Sequence, residues 1–390
     1  MNSNICRLCN SKLFSKPIIK LEGMPRAAQH FPSQNEFKDD KGIILNVFQC
    51  SDCRLVQLNI DPVDYFKEVI TAASFSDEAK FIRLKQMTKF VSQFRLHGKK
   101  VLEVGSGKGN MLDILEKAGV AATGIEASLK SVKIAKSTGR NMIHDYIGDI
   151  EKLKGHPFDA FVSFNYIEHM PKPGAIIKKI YNNITSNAVG FVTVPNLDYL
   201  LRTRCFYEFV ADHLSYFTKN TLIHAFERNN FNVLECYTIN EDNDIVAIVK
   251  KKRPNNTIAL VKKTKPLDIS GHFKEVDNLI NNLQQIVNRY TKKNKKIAIW
   301  GAGHRTLALL ALSKLNNIAY VVDSAKFKQG QFTPVLHLKI VPPEYLKQKN
   351  VDLIIIMVPG LYPGEVLKSL KKMKLGIEVA ILRGNQVEFI

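Results

Sequence analysis

Apolar residues in this chain recur at two spacings, and the switches between them mark its elements. From Asp77 to Phe94 the apolar positions Ala79, Phe81, Ile82, Met87, Phe90, Val91 and Phe94 fall three and four apart, which is the stripe of one helix face. From Lys100 the pattern becomes short apolar runs separated by helical stretches. Val101 to Val104, Ala121 to Ile125, Phe158 to Phe164 and Val189 to Val194 each read as a strand followed by a turn or helix signal. The turn Gly105-Ser106-Gly107-Lys108-Gly109 opens a helix that runs through Lys117. A second series begins with a helix marked by Val276, Leu279, Ile280, Leu283 and Ile286. It continues with a strand at Lys296–Trp300, a turn at Gly301-Ala302-Gly303-His304, a helix at Thr306–Lys314, and a strand at Ala319–Val322 ending in Asp323. Val351–Met357 and Val379–Leu382 read as further buried strands. Strands alternating with helices predict an α/β fold with parallel sheets covered on both faces.

Ahead of this alternation two CxxC pairs, Cys6-Arg7-Leu8-Cys9 and Cys50-Ser51-Asp52-Cys53, frame the first fifty residues, with the strand-like run Ile43–Phe48 leading into the second. Two such knuckles supply four thiolates to a tetrahedral Zn²⁺ site, and a closed four-sulfur site is structural because no coordination position is left for a reactant. Cys205 and Cys236 do not repeat the pattern. That thiol inventory suits a reducing compartment and predicts a cytoplasmic protein. No basic-then-apolar leader is seen at Met1–Ile5, and no window approaches the roughly 20 apolar residues of a membrane span.

A length of 390 residues predicts two or three domains. The pattern divides them into a zinc module at 1–75, an α/β domain at 76–250, a basic linker at 251–267 and a second α/β domain at 268–390. The net charge of +20 suits an acidic partner. Its densest run, Lys250 to Arg253 with Lys262, Lys263 and Lys265, adjoins Pro254 and reads as solvated linker. Nucleic acid is not the expected partner. Arg7 is the only basic residue inside either knuckle, and aromatics do not interleave with lysines as a stacking platform requires.

The candidate chemistry lies at strand ends. The first glycine turn lets backbone approach a ligand and presents N–H groups at a helix start. Glu126, twenty-one positions after Gly105, is placed to accept ribose hydroxyls. Those two features alone suit a dinucleotide equally well. Together with Glu103 in Val101-Leu102-Glu103-Val104, and with Phe158–Phe164 running into Asn165-Tyr166-Ile167-Glu168-His169, they resemble the class I S-adenosylmethionine (SAM) methyltransferases. The resemblance implies a Rossmann-like domain holding SAM among Glu103, Gly105, Gly107, Gly109, Glu126, Asp149 and Asn165, with Asp149 toward the adenine amino group.

A four-cysteine module, a SAM domain and a C-terminal Rossmann-like domain, in that order, resemble the sugar C-methyltransferases of deoxysugar pathways over nearly the whole chain. Cys53-Arg54-Leu55-Val56-Gln57-Leu58, Asp212-His213-Leu214-Ser215-Tyr216-Phe217, and Val322-Asp323 through Lys328–Pro334 carry this likeness. It implies a nucleotide-diphosphate sugar as substrate, a C-terminal domain that helps hold it, and catalysis by His213 as base with Asp212 and His169. In the family a tyrosine and another histidine precede the acidic-His pair, whereas this chain has Val210 and Ala211. Methylating a carbon beside a ketone needs a base and a group that stabilises the enolate oxygen. An O-methyltransferase needs only the base, so carbon and oxygen acceptors both stay open. Two further expectations attach to the second turn: His304 is placed to meet a phosphate or to close a tight turn, and Asp323, twenty-two positions after Gly301, permits a nicotinamide cofactor.

Overall fold

A computed structural model describes residues 4–68, 77–253, 266–267, 273–358 and 362–390. They form two compact units, the first from residues up to 16, 48–198 and 213–266, the second from 17–47, 199–212 and 267–390. Residues 17–47, expected within the cysteine module, thus group with the C-terminal α/β unit. There Ile19–Met24 pairs antiparallel with Ile43–Gln49, burying Ile19, Leu21, Met24, Leu45 and Val47. Lys262, Lys263 and Lys265 of the expected basic linker lie outside the described residues.

The first unit is built on a seven-stranded sheet. Its strands are β1 (Lys100–Val104), β2 (Ala121–Glu126), β3 (Met142–His144), β4 (Phe158–Phe164), β5 (Ile184–Pro195), β6 (Phe231–Ile239) and β7 (Asp244–Lys251). They lie in the order β3-β2-β1-β4-β5-β7-β6. β1 to β5 are parallel, while β7 runs antiparallel to β5 and to β6. The expectation of a wholly parallel sheet is therefore corrected. Asn240, Glu241 and Asp242 all take positive φ, and the Asn243 N–H bonds the Asn240 carbonyl, so the chain reverses in a turn too short for the helix a parallel crossover needs.

Alternation along the strands builds a core on each face. Val101, Ala160, Val162, Phe191, Val246 and Ile248 pack with Met87, Phe90 and Val91 of α1 (Asp77–Gln93), Leu112 and Leu115 of α2 (Asn110–Lys117), and Val132 and Ala135 of α3 (Leu129–Ser137). Leu102, Val104, Phe161, Val192, Ile245 and Ala247 face the other way. They meet Ile176, Ile177 and Ile180 of α4 (Pro173–Asn183), Leu222, Ala225 and Phe226 of α5 (Lys219–Glu227), and the four knuckle cysteines with Leu8, Leu13 and Leu55. The cysteine module is thus part of this unit's second core, and burying its apolar residues contributes roughly 25 cal/mol per Å².

The second unit carries α6 (Phe273–Thr291), β8 (Ile297–Trp300), α7 (His304–Ser313), β9 (Tyr320–Val322), β10 (Ile340–Val341), β11 (Leu353–Ile356), α8 (Tyr362–Met373), β12 (Glu378–Arg383) and β13 (Gln386–Phe389). The sheet order is β10-β9-β8-β11-β12-β13, parallel except for the last pair. This is the second Rossmann-like arrangement that the sequence predicts. No helix among the described residues is long and apolar enough to cross a membrane.

Candidate active site

The turn after β1 is held open by its own backbone. Gly105, Gly107 and Gly109 take φ of 77°, 52° and 76°, values that disfavour any side chain. A Cβ on Gly105 would sit 2.4 Å from the Tyr166 ring. Glu126, at the end of β2, accepts the N–H of Gly107 and that of Ser128, both at 2.9 Å, and so braces the turn against the strand end. Glu103 is buried, and its Oε2 has no hydrogen-bond partner among the described residues. Burial first, and the charge of Glu126 second, hold its carboxyl well above the usual range.

Asn165 follows β4 with φ of 46°, its Oδ1 accepting from Thr193 Oγ1 at 2.5 Å and its Nδ2 donating to Asp244 at 3.2 Å. Its side chain is thereby locked between β5 and β7. Asp149 is largely exposed and pairs with Lys67 at 2.8 Å. The sequence brought neither partner into view, because both contacts join segments far apart along the chain.

One turn beyond Asn165, three groups converge. Glu168 is 1% exposed, and neither carboxylate oxygen has a hydrogen-bond partner among the described residues; burial pushes its pKa up to about 8. His169 Nε2 lies 3.9 Å from Glu168 Oε1. The rings of His169 and His213 meet edge to face at 80° with centroids 4.7 Å apart. The sequence named both histidines; the fold brings them together across more than forty residues. His213 is positioned by its neighbours, since the Leu214 N–H bonds the Glu168 carbonyl at 2.9 Å and Ser215–Tyr216 pairs antiparallel with Val56–Leu58 beyond the second knuckle.

The four cysteines converge as the spacing predicts. Cys6 and Cys53 sulfurs are 3.5 Å apart, as are those of Cys9 and Cys50, and all four lie within 4.8 Å of one another. Ligands about 2.3 Å from a tetrahedral zinc are roughly 3.8 Å apart, so the donor set fits the metal. The N–H groups of Leu8 and Asp52 point at Cys6 and Cys50 sulfurs at 3.4 Å, which favours thiolates.

In the second unit, Asp212 accepts the Ala28 N–H at 2.7 Å, a buried bond that commits one carboxylate oxygen to backbone. Val210 and Ala211 line a small apolar cavity with Met24, Ala28 and Leu307. His304 Nε2 is 2.7 Å from Glu208, and the neighbouring Arg305 donates to the Tyr207 hydroxyl at 2.7 Å. Asp323 accepts the Ala302 N–H at 2.7 Å and that of Ala325 at 2.8 Å, with buried Lys328 at 3.3 Å. The second glycine turn is therefore closed by its own acidic residue and a lysine.

Residues 77–236 match a family model described as a methyltransferase domain, and residues 261–376 match one described as the C-methyltransferase C-terminal domain. The chain carries a class I SAM-dependent methyltransferase domain. Its sheet order and brace of glycine turn and acidic strand end agree with that assignment. The residues that follow this domain are similar to the C-methyltransferase C-terminal domain. C-methyltransferase NovU from Streptomyces niveus is similar at 21% identity over 94% of this chain and 92% of its own length. A ubiquinone biosynthesis O-methyltransferase from Thiobacillus denitrificans is 30% identical over 21% of this chain, which spans only 38% of that relative. Among solved structures, a SAM-dependent methyltransferase from Clostridium acetobutylicum aligns with a TM-score of 0.39 at 13% identity, covering 46% of this chain and 93% of its own. The residues present suit SAM. Glu103 Oε2, buried beside the glycine turn with no hydrogen-bond partner among the described residues, is complementary to a cationic ligand, and the Glu126 carboxylate at the end of β2 is an acceptor of the kind ribose hydroxyls need.

Proposed function

We propose that this protein moves the methyl group of SAM onto a carbon beside the ketone of a nucleotide-linked deoxysugar, with His213 as the base. The carrying observation is the pairing of His213 with His169 beside buried Glu168, one turn past the strand that neighbours the glycine turn. SAM supplies an electrophilic sulfonium methyl. The backbone of Gly105 and Gly107 lets the cofactor approach, Glu126 receives its ribose, Glu103 balances its positive charge, and Asn165 and Asp149 complete the surround. His213 removes the proton from the acceptor carbon; the enolate carbon would then bond the methyl of bound SAM as its S–CH3 bond breaks, with S-adenosylhomocysteine as the leaving group. His169 orients the base and Glu168 closes the site beneath them. Asp212 shapes the loop through its bond to Ala28.

Carbon as the acceptor is supported by the match of residues 261–376 and by the similarity to NovU along most of the chain. The sugar class rests on the resemblance of the Asp212–Phe217 and Val322–Pro334 segments, and the charge of +20 suits a diphosphate. Zn²⁺ on Cys6, Cys9, Cys50 and Cys53 is structural. Oxygen as the acceptor is the second reading, favoured by the apolar Val210 and Ala211, which offer no side-chain donor for an enolate oxygen. Incubation with carbon-13 methyl SAM and a panel of 4-keto and fully reduced nucleotide sugars separates the two by NMR. A carbon-bound methyl formed only from keto sugars is expected; an oxygen-bound methyl formed from reduced sugars overturns the carbon reading.

A further inference from the structure

We propose that Glu168, His169 and His213 form a second metal site, separate from the four cysteines, that takes a divalent transition-metal cation and, when filled, silences methyl transfer. The silencing half rests on the reading of His213 as base; the binding half rests on geometry alone. A carboxylate oxygen of Glu168 and one ring nitrogen from each histidine all lie within 4.8 Å of one another, and the only other such group among the described residues is the cysteine cluster. Neighbouring ligands of a tetrahedral cation at about 2.1 Å are about 3.4 Å apart, so side-chain shifts of roughly 1 Å close the site.

The independent sign of a ligand is Glu168 itself. It is 1% exposed, with both oxygens lacking hydrogen-bond partners among the described residues. Native structures satisfy buried polar atoms, and an orphaned carboxylate points to a missing partner. His169 and His213 are half-buried, so an ion arriving from solvent meets them first. Two imidazoles and one carboxylate select Zn²⁺, Co²⁺, Ni²⁺ or Fe²⁺ over Mg²⁺ and Ca²⁺, which require oxygen-rich shells. Soft thiolates fill first, and the second site takes metal only beyond one equivalent.

A neutral imidazole has one basic nitrogen. Once it binds a cation, no lone pair is left to take a carbon-bound proton, so occupancy and the role of base exclude each other. Free transition-metal ions thereby become inhibitors that act at the reaction centre while the structural zinc stays in place.

The test uses the full chain with zinc in its cysteine site, titrated with Co²⁺ and followed by visible absorption and by counting bound metal. The expected result is one added equivalent with the d–d bands of a nitrogen and oxygen shell and no thiolate charge-transfer band. Glu168→Gln and His169→Gln should each weaken it at least tenfold; the half-buried His169 provides a variant that folds even where the Glu168 change does not. Turnover with a keto nucleotide sugar should fall in step with the added equivalent and return when a mild chelator removes it. Absence of the equivalent, or its survival in both variants, overturns the site. Turnover that rises as the site fills overturns the silencing. The absorption titration needs no turnover, so failure of the sugar reading leaves the binding test intact.

Discussion

Arg7, inside the first cysteine knuckle, donates from Nη1 to the carbonyl oxygen of Pro171 at 3.2 Å, two residues past His169. The same guanidinium donates to the carbonyls of Leu58 and Ile60, and the Arg7 N–H bonds Gln57 Oε1 at 2.8 Å. Leu58 in turn donates to the Leu214 carbonyl beside His213. One side chain of the cysteine knuckle therefore braces both segments that carry the paired histidines.

Arg7→Lys should keep the charge and lose the fork that reaches three carbonyls at once. The expected outcome is a stability loss of about 1–3 kcal/mol, with kcat down roughly tenfold and the KM for SAM nearly unchanged. A fall confined to the KM for SAM would point to a role at the cofactor instead. Steady-state kinetics beside a urea melt separate the two.

Stripping zinc should loosen the same brace. With the metal removed by a strong chelator, four buried sulfurs lose their common partner, and the pairing of Val56–Leu58 with Ser215–Tyr216 loses its anchor. A lowered melting temperature and lost turnover are expected, both restored by one equivalent of Zn²⁺. Unchanged melting after verified metal loss contradicts a structural role.

Gly105→Ala tests the turn. Its Cβ would meet the Tyr166 ring at 2.4 Å on a backbone of positive φ, so either the ring or the turn must shift. Affinity for SAM should fall at least tenfold by calorimetry, with a stability cost of about 1–3 kcal/mol.

The His304–Glu208 pair gives a pH signature of the C-terminal unit. Burial pulls the His304 imidazole down, but the Glu208 charge and hydrogen bond outweigh it and hold the group above 6.5. Burial pushes Glu208 up, but His304 and Arg305 hold it below 4.5. The histidine's contribution is complete below 6.5 and is lost as pH rises through its raised folded value. That of the glutamate is present above 4.5 and is lost as pH falls through its depressed one. Glu208→Gln should therefore lower the melting temperature most between pH 4.5 and 6.5, with the gap narrowing in alkaline buffer.

Much of this architecture was legible because β1, β2, β4, β8 and β11 are short apolar runs bounded by turn signals, and the cysteine spacing carries its own geometry. β7 was missed because Ile245–Val249 is buried throughout, and a continuous apolar run does not announce its direction or partner. The grouping of residues 17–47 with the C-terminal unit depends on long-range packing that no local pattern reports. At the site, the Glu168-His169 segment and His213 were visible as motifs. The orphaned carboxylate was not, since a missing partner exists only in three dimensions. Arg7 read from sequence as a mere argument against nucleic acid, because its three carbonyl partners come from distant segments.

Removal of a carbon-bound proton by His213, as proposed, is measured without methyl transfer by solvent exchange. A keto nucleotide sugar is incubated in D₂O with the protein and S-adenosylhomocysteine, and loss of the proton beside the ketone is followed by NMR. Exchange with the unaltered protein and a loss of at least a hundredfold in His213→Ala, with S-adenosylhomocysteine affinity preserved, are expected. Exchange at the unaltered rate in that variant would contradict that role for His213.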